Sequence, residues 1–169
     1  MARGDVKVIG QSAKEPFRVA ASATRGYTGE PMIVVPTLTS GVSDVNTIVV
    51  LTDDLPVIGT DEFVGILAKD MEPPSTGTIT AQRTVVDVPF PMITRMEAAV
   101  TTAGTADTES EAIGLLFDIY VFDLISSVYT WKPGAADTGG FQARWYNVAR
   151  RALQCVVDPR AGARVDITD

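Results

Sequence analysis

Four acids crowd one short stretch: Asp53, Asp54, Asp61 and Glu62 flank residues 55–60. Carboxylates at that density are the raw material of a hard-cation site. Calcium takes roughly six to eight converging oxygens, and the alternating Asp/Asn loop with a distal glutamate that supplies them is missing. The stretch reads instead as turn-forming acids around Pro56 and Gly59. Asp107, Glu109 and Glu111 sit where a helix start welcomes negative charge, and Thr108 with Glu111 has the spacing of a capping box. General acid/base work by paired carboxylates needs two acids to meet across a sheet, a meeting that sequence does not show. Cys155 stands in the apolar alternation Leu153, Cys155, Val157, which makes it a buried structural thiol.

The remaining chemical repertoire is thin. The chain has no histidine, which removes His-dependent triads and most zinc sites. One cysteine makes no internal disulfide. No serine sits in a nucleophile elbow, and no glycine-rich loop ends in Lys-Ser or Lys-Thr. No catalytic residue, metal ligand or cofactor is expected, and the protein is not expected to be an enzyme. No long apolar run follows the N-terminus, so neither a secretory signal nor a membrane span is expected.

What stands out is charge and aromatic placement. The 169 residues carry a net charge of −7, which disfavours general nucleic-acid binding. Residues 1–25 hold five basic side chains (Arg3, Lys7, Lys14, Arg18, Arg25) against two acids, and residues 144–169 hold five arginines against three acids. Between them four basic residues face sixteen acids. Basic ends on an acidic body suit docking on an acidic partner, with charge complementarity setting register and encounter rate. Phe141, Trp145, Tyr146 and Trp131 lie near Arg144, Arg150 and Arg151, the residue types that dominate interface hot spots. The alternative is that the aromatics are core and the arginines solvated.

Composition is that of an ordinary globular domain, 46% hydrophobic and 21% charged. Short β-branched and aromatic runs bounded by Gly, Pro and Asp predict strands at 6–9, 32–35, 47–51, 63–68, 78–88, 115–124 and 128–131. Residues 11–16 read as a polar break, 25–31 as a turn, and 37–46 and 71–77 as loops. Gly65, inside a strand pattern, marks a bulge or a close backbone approach. Residues 92–100 are short and indistinct. A turn or two of helix follows Thr108 and ends at Gly114. Residues 125–127 suggest a hairpin between two strands. Phe141, Trp145 and Val148 have helical spacing, yet the same stretch can be extended, so helix and strand both stay open. Residues 153–157 alternate as a strand, and 158–162 turn into a last strand at 164–168. The sum is a mainly β fold, an antiparallel β-barrel or β-sandwich with one short helix and an extended N-terminal arm. Residues 1–25 form that arm or the first strands, and 26–169 form a single β-rich domain ending in a C-terminal hairpin.

Several strings are in a familiar order. They are Gly4-Asp5-Val6-Lys7, the run from Leu55-Pro56-Val57-Ile58-Gly59 to Phe63-Val64-Gly65-Ile66, Ala106-Asp107-Thr108-Glu109-Ser110-Glu111, and Val121-Phe122-Asp123-Leu124 with Val128-Tyr129-Thr130. In these the chain resembles the capsid decoration, or cement, proteins of tailed bacteriophages, and its closing strand–turn–strand through Asp158-Pro159 and Gly162 is similar to theirs. The resemblance is patchy but spans most of the chain; residues 141–151 do not match it. It implies a non-enzymatic virion protein, made in the bacterial host cytoplasm, on the outer surface of an icosahedral head. It also implies bridging of major capsid protein subunits and self-association as a dimer or trimer. With the charge pattern it places capsid contacts at Arg3, Lys7, Lys14, Arg18, Arg144, Trp145, Arg150 and Arg151. The alternative is another non-catalytic β-rich virion component, of tail or fibre, or a surface binding module.

Overall fold

β-Branched and aromatic residues in short runs become strands wherever the chain is described. The structure, a computed structural model, describes residues 6–20, 23, 25–34, 47–52, 62–72, 83–100, 109–123, 128–133 and 140–158. Among them lie β1 (Lys7–Ile9), β2 (Ser12–Val19), β3 (Pro31–Val34), β4 (Thr47–Val50), β5 (Glu62–Leu67), β6 (Arg83–Pro89) and β7 (Arg95–Ala99). Then follow α1 (Glu109–Ala112), β8 (Leu116–Asp123), β9 (Val128–Pro133), β10 (Phe141–Asn147) and β11 (Ala152–Val157). Gly114, at φ +89°, ends the helix in the left-handed conformation that favours glycine.

Five strands close a barrel in the order β2-β4-β3-β5-β6. An odd number of strands cannot close with antiparallel pairs alone, so one neighbouring pair must be parallel. That pair is β2/β4, through Arg18–Thr47 and Val19–Ile48. The second sheet has the order β1-β7-β11-β10-β8-β9 and curls into a half-barrel. The same parity holds there: β9 meets the end of β7 in a parallel bridge, Val100 to Trp131.

One long ribbon joins the two bodies. β2 pairs with β6 from Ser12–Pro89 to Arg18–Arg83, and β1 pairs with β7 from Lys7–Glu97 to Ile9–Arg95. Extra residues on the 83–99 side, at 90–94, make the corner. Buried Thr94 pins it: its Oγ1 accepts from Phe90 N–H at 2.8 Å and donates to the Gln11 carbonyl. Phe90, Met92 and Ile93 are left exposed at this corner.

The segment expected as an arm or as first strands runs as β1 and β2, both paired within the sheets. The polar break expected at 11–16 is overturned, because Ser12–Val19 is one barrel strand. Its exposed Lys14, Glu15, Pro16 and Arg18 hide the strand signal. Pro16 is tolerated because, among the described residues, β4 reaches β2 only at Arg18 and Val19 and the rest of that flank carries no ladder. Residues 92–100 resolve into a turn and β7. Residues 141–147 are strand, not helix. Gly65 does both things its pattern suggested. The register of β3 against β5 shifts opposite it, and a Cβ there would press on the Asp87 carbonyl oxygen and come within 2.8 Å of Val86 Cγ1. The expected loop at 37–46, the acids at 53–61, Asp107 and Thr108, and the hairpin through 158–168 beyond Asp158 lie outside the described residues.

A continuous core runs through both bodies. Phe63 of β5 meets Phe141 of β10 edge to face, ring centroids 5.2 Å apart, and Phe141 meets Trp131 of β9 at 5.2 Å. Tyr129 of β9 donates its hydroxyl to the Leu51 carbonyl at the end of β4, at 2.8 Å. The Cys155 thiol is fully buried, and burial pushes its pKa well up. Burial, and then the nearby Glu30 carboxylate, push the Tyr129 phenol up as well. Both groups stay neutral in the fold and ionise more readily when unfolded, near pH 8.5 and 10 respectively. Their contribution is therefore full below those values and lost as pH rises past them. Denaturant midpoints are expected to fall progressively above about pH 8.5. Cys155→Ala removes the first part of that slope; an unchanged slope contradicts the assignment.

Candidate functional site

A row of four residues crosses the half-barrel on the face turned away from the core. Strand register sets it: Lys7 lies opposite Glu97, Glu97 opposite Gln154, and Gln154 opposite Trp145. Directly opposed residues of antiparallel strands share a face, so all four point the same way. Gln154 Nε2 donates to Glu97 Oε2 at 2.9 Å. From the β10–β11 turn, Arg150 brings a guanidinium nitrogen to 3.7 Å from Glu97 Oε1, and its backbone N–H donates to Asn147 Oδ1.

Trp145 reaches this face because of a β-bulge. Ala143 pairs with Cys155 and Trp145 with Gln154, so Arg144 is the inserted residue. In an unbulged strand, strict alternation from Ala143 would turn Trp145 inward and Tyr146 outward. With the bulge Tyr146 is buried and Trp145 stays 38% exposed. Val148 at the following turn is 56% exposed. Arg151, at φ 48°, closes that turn.

Glu97 and Gln154 are themselves buried. The Oε1 atoms of Gln154 and of Gln142, on the same face, are buried and have no hydrogen-bond partner among the described residues. Arg95, opposite Ile9 on this face, is exposed. The periphery is thus basic (Lys7, Arg95, Arg144, Arg150, Arg151) with exposed Trp145 among the cations. Such a surface can dock an acidic protein surface through one aromatic anchor and several rim charges.

The structure brings Lys7, Trp145 and Arg150 together and sets Arg144 and Arg151 beside them. It places Lys14 and Arg18 elsewhere, on the outer face of the barrel. Lys14 is committed within the chain: its Nζ lies 2.8 Å from Asp87 Oδ1, which also accepts from Ser12 Oγ. Arg18 is exposed opposite Arg83. Arg3 lies outside the described residues. Of the aromatics, Trp131, Phe141 and Tyr146 are core. Sequence reasoning missed Glu97, Gln154 and Arg95. Their signal was single polar residues set into apolar strands, as in Met96-Glu97-Ala98 and Leu153-Gln154-Cys155.

Other charges are spent on turns. Asp70 Oδ1 accepts from Thr28 N–H and Oγ1, both at 2.8 Å, and these bonds hold its carboxyl below the usual range. Arg25 sits 2.5 Å from Glu72 and over the Tyr27 ring.

The fold defines the class: a mainly β protein of one closed barrel and one curled half-barrel. Comparisons with protein-family models, with curated proteins and with solved structures find no match for this chain.

Proposed function

We propose that this is a structural virion protein that decorates the outside of a phage icosahedral capsid and stabilises it by bridging neighbouring major capsid protein subunits. The strings that resemble those of cement proteins motivate the reading. The observation that carries it is the basic, Trp-anchored face across β1, β7, β11 and β10. In this reading the face sits on an acidic surface of the capsid, and self-association as a dimer or trimer multiplies modest contacts around a symmetry axis. Neither a cofactor nor catalysis enters.

The test is co-sedimentation with heads of the encoding virus assembled without this protein. Wild type is expected to bind saturably. Trp145→Ala, a truncation of an exposed side chain, is expected to weaken binding by about thirtyfold, the effect of a hot-spot residue, with an unchanged melting temperature. Wild type that ignores the heads overturns the capsid reading. Binding that survives Trp145→Ala unchanged removes this face from the contact.

A further inference from the structure

Arg83 belongs by sequence to the acidic middle of the chain. The fold carries it to the basic N-terminal segment, directly opposite Arg18 in the β2/β6 ladder. Like charges facing each other across a ladder are unfavourable, and opposed Cβ atoms stand only about 4.5–5.5 Å apart. Both arginines are exposed, and neither has an ion-pair partner among the described residues. The cationic residues nearby are treated differently. Lys14, two positions along the same outer face, is neutralised by Asp87 across the same ladder. Arg25 is held by Glu72. One register position on this ribbon therefore presents two uncompensated guanidinium groups side by side.

We propose that Arg18 and Arg83 form a clamp for a single carboxylate supplied by an acidic segment of a protein partner. Two planar guanidinium forks bind a planar carboxylate with parallel hydrogen bonds. The chain's net charge of −7 disfavours an extended polyanion, whereas a single carboxylate meets the two arginines at one register position. The clamp does not depend on the capsid reading, because the carboxylate chemistry is the same for any protein partner.

The test uses the full chain and nuclear magnetic resonance of the arginine Nε–Hε groups. The probe is a blocked tetrapeptide with one aspartate, with its asparagine counterpart and inorganic phosphate as separate arms. The expected result is saturable shifts at Arg18 and Arg83 with the aspartate peptide, smaller shifts at Arg25, and none with the asparagine peptide. Arg83→Gln is expected to weaken the peptide at least tenfold at Arg18. It is also expected to raise the low-salt melting temperature, a gain that fades at high salt. Equal, unsaturable shifts at all arginines overturn the clamp, as does a low-salt melting temperature that falls in Arg83→Gln. Phosphate binding without peptide binding overturns the carboxylate assignment. If the clamp holds and heads are ignored in co-sedimentation, only the capsid reading fails.

Discussion

Trp131→Ala is expected to cost about 3–5 kcal/mol and to lower the melting temperature by roughly 10 °C or more. The indole is fully buried in the half-barrel, where it packs on Phe141, which packs on Phe63 of the closed barrel. Truncation opens a cavity in the middle of that aromatic chain. It also strips the Leu153 carbonyl of the hydrogen bond it accepts from Nε1 at 2.9 Å. The parallel bridge from Val100 lands on this residue, so the curl of the half-barrel loosens where the sheet comes nearest to closing. Chemical denaturation followed by tryptophan fluorescence measures the effect, with Trp145 as the remaining reporter. A loss under about 1 kcal/mol would mean that the two bodies do not share this core.

The second large effect is expected at Gly65, where Gly65→Val costs about 3 kcal/mol or more. The obstacle is backbone, since a Cβ would press on the Asp87 carbonyl oxygen while β5 pairs with β6 at Ile66–Asp87. A flexible side chain could swing aside, but a ladder carbonyl cannot move without opening the β5/β6 seam that closes the barrel. Amide exchange is expected to quicken in β5 and β6 first and in β10 and β11 least. Uniform protection and a wild-type midpoint would contradict the close approach.

β4 was legible because its run Thr47-Ile48-Val49-Val50 is uninterrupted, and the aromatic stretches became β8 and β9, which pair antiparallel. Gly65 was legible because a glycine within a strand pattern has few structural reasons to be there. β2 was hidden because its outer face is exposed and carries a proline. β10 was ambiguous for a definite reason: one inserted residue, Arg144, breaks the two-residue alternation and leaves Phe141, Trp145 and Val148 at intervals of four and three, which mimic a helix. Barrel and sandwich could not be separated because closure depends on β2/β4, a parallel pairing between distant segments. The site was half visible. Residue type alone pointed to Lys7, Trp145 and Arg150, but their convergence on Glu97 and Gln154 is set by register across four strands. Arg83 was invisible for the same reason, since only the ladder places it opposite Arg18.

The most direct test of the central claim is a cryo-electron reconstruction of the virion that carries this protein. The account predicts density for a closed barrel joined to a curled half-barrel on the outside of the head, at symmetry-related positions. The face bearing Lys7, Trp145 and Arg150 should be turned to the shell. An outer head surface without that density, or with that face turned to solvent, would contradict it.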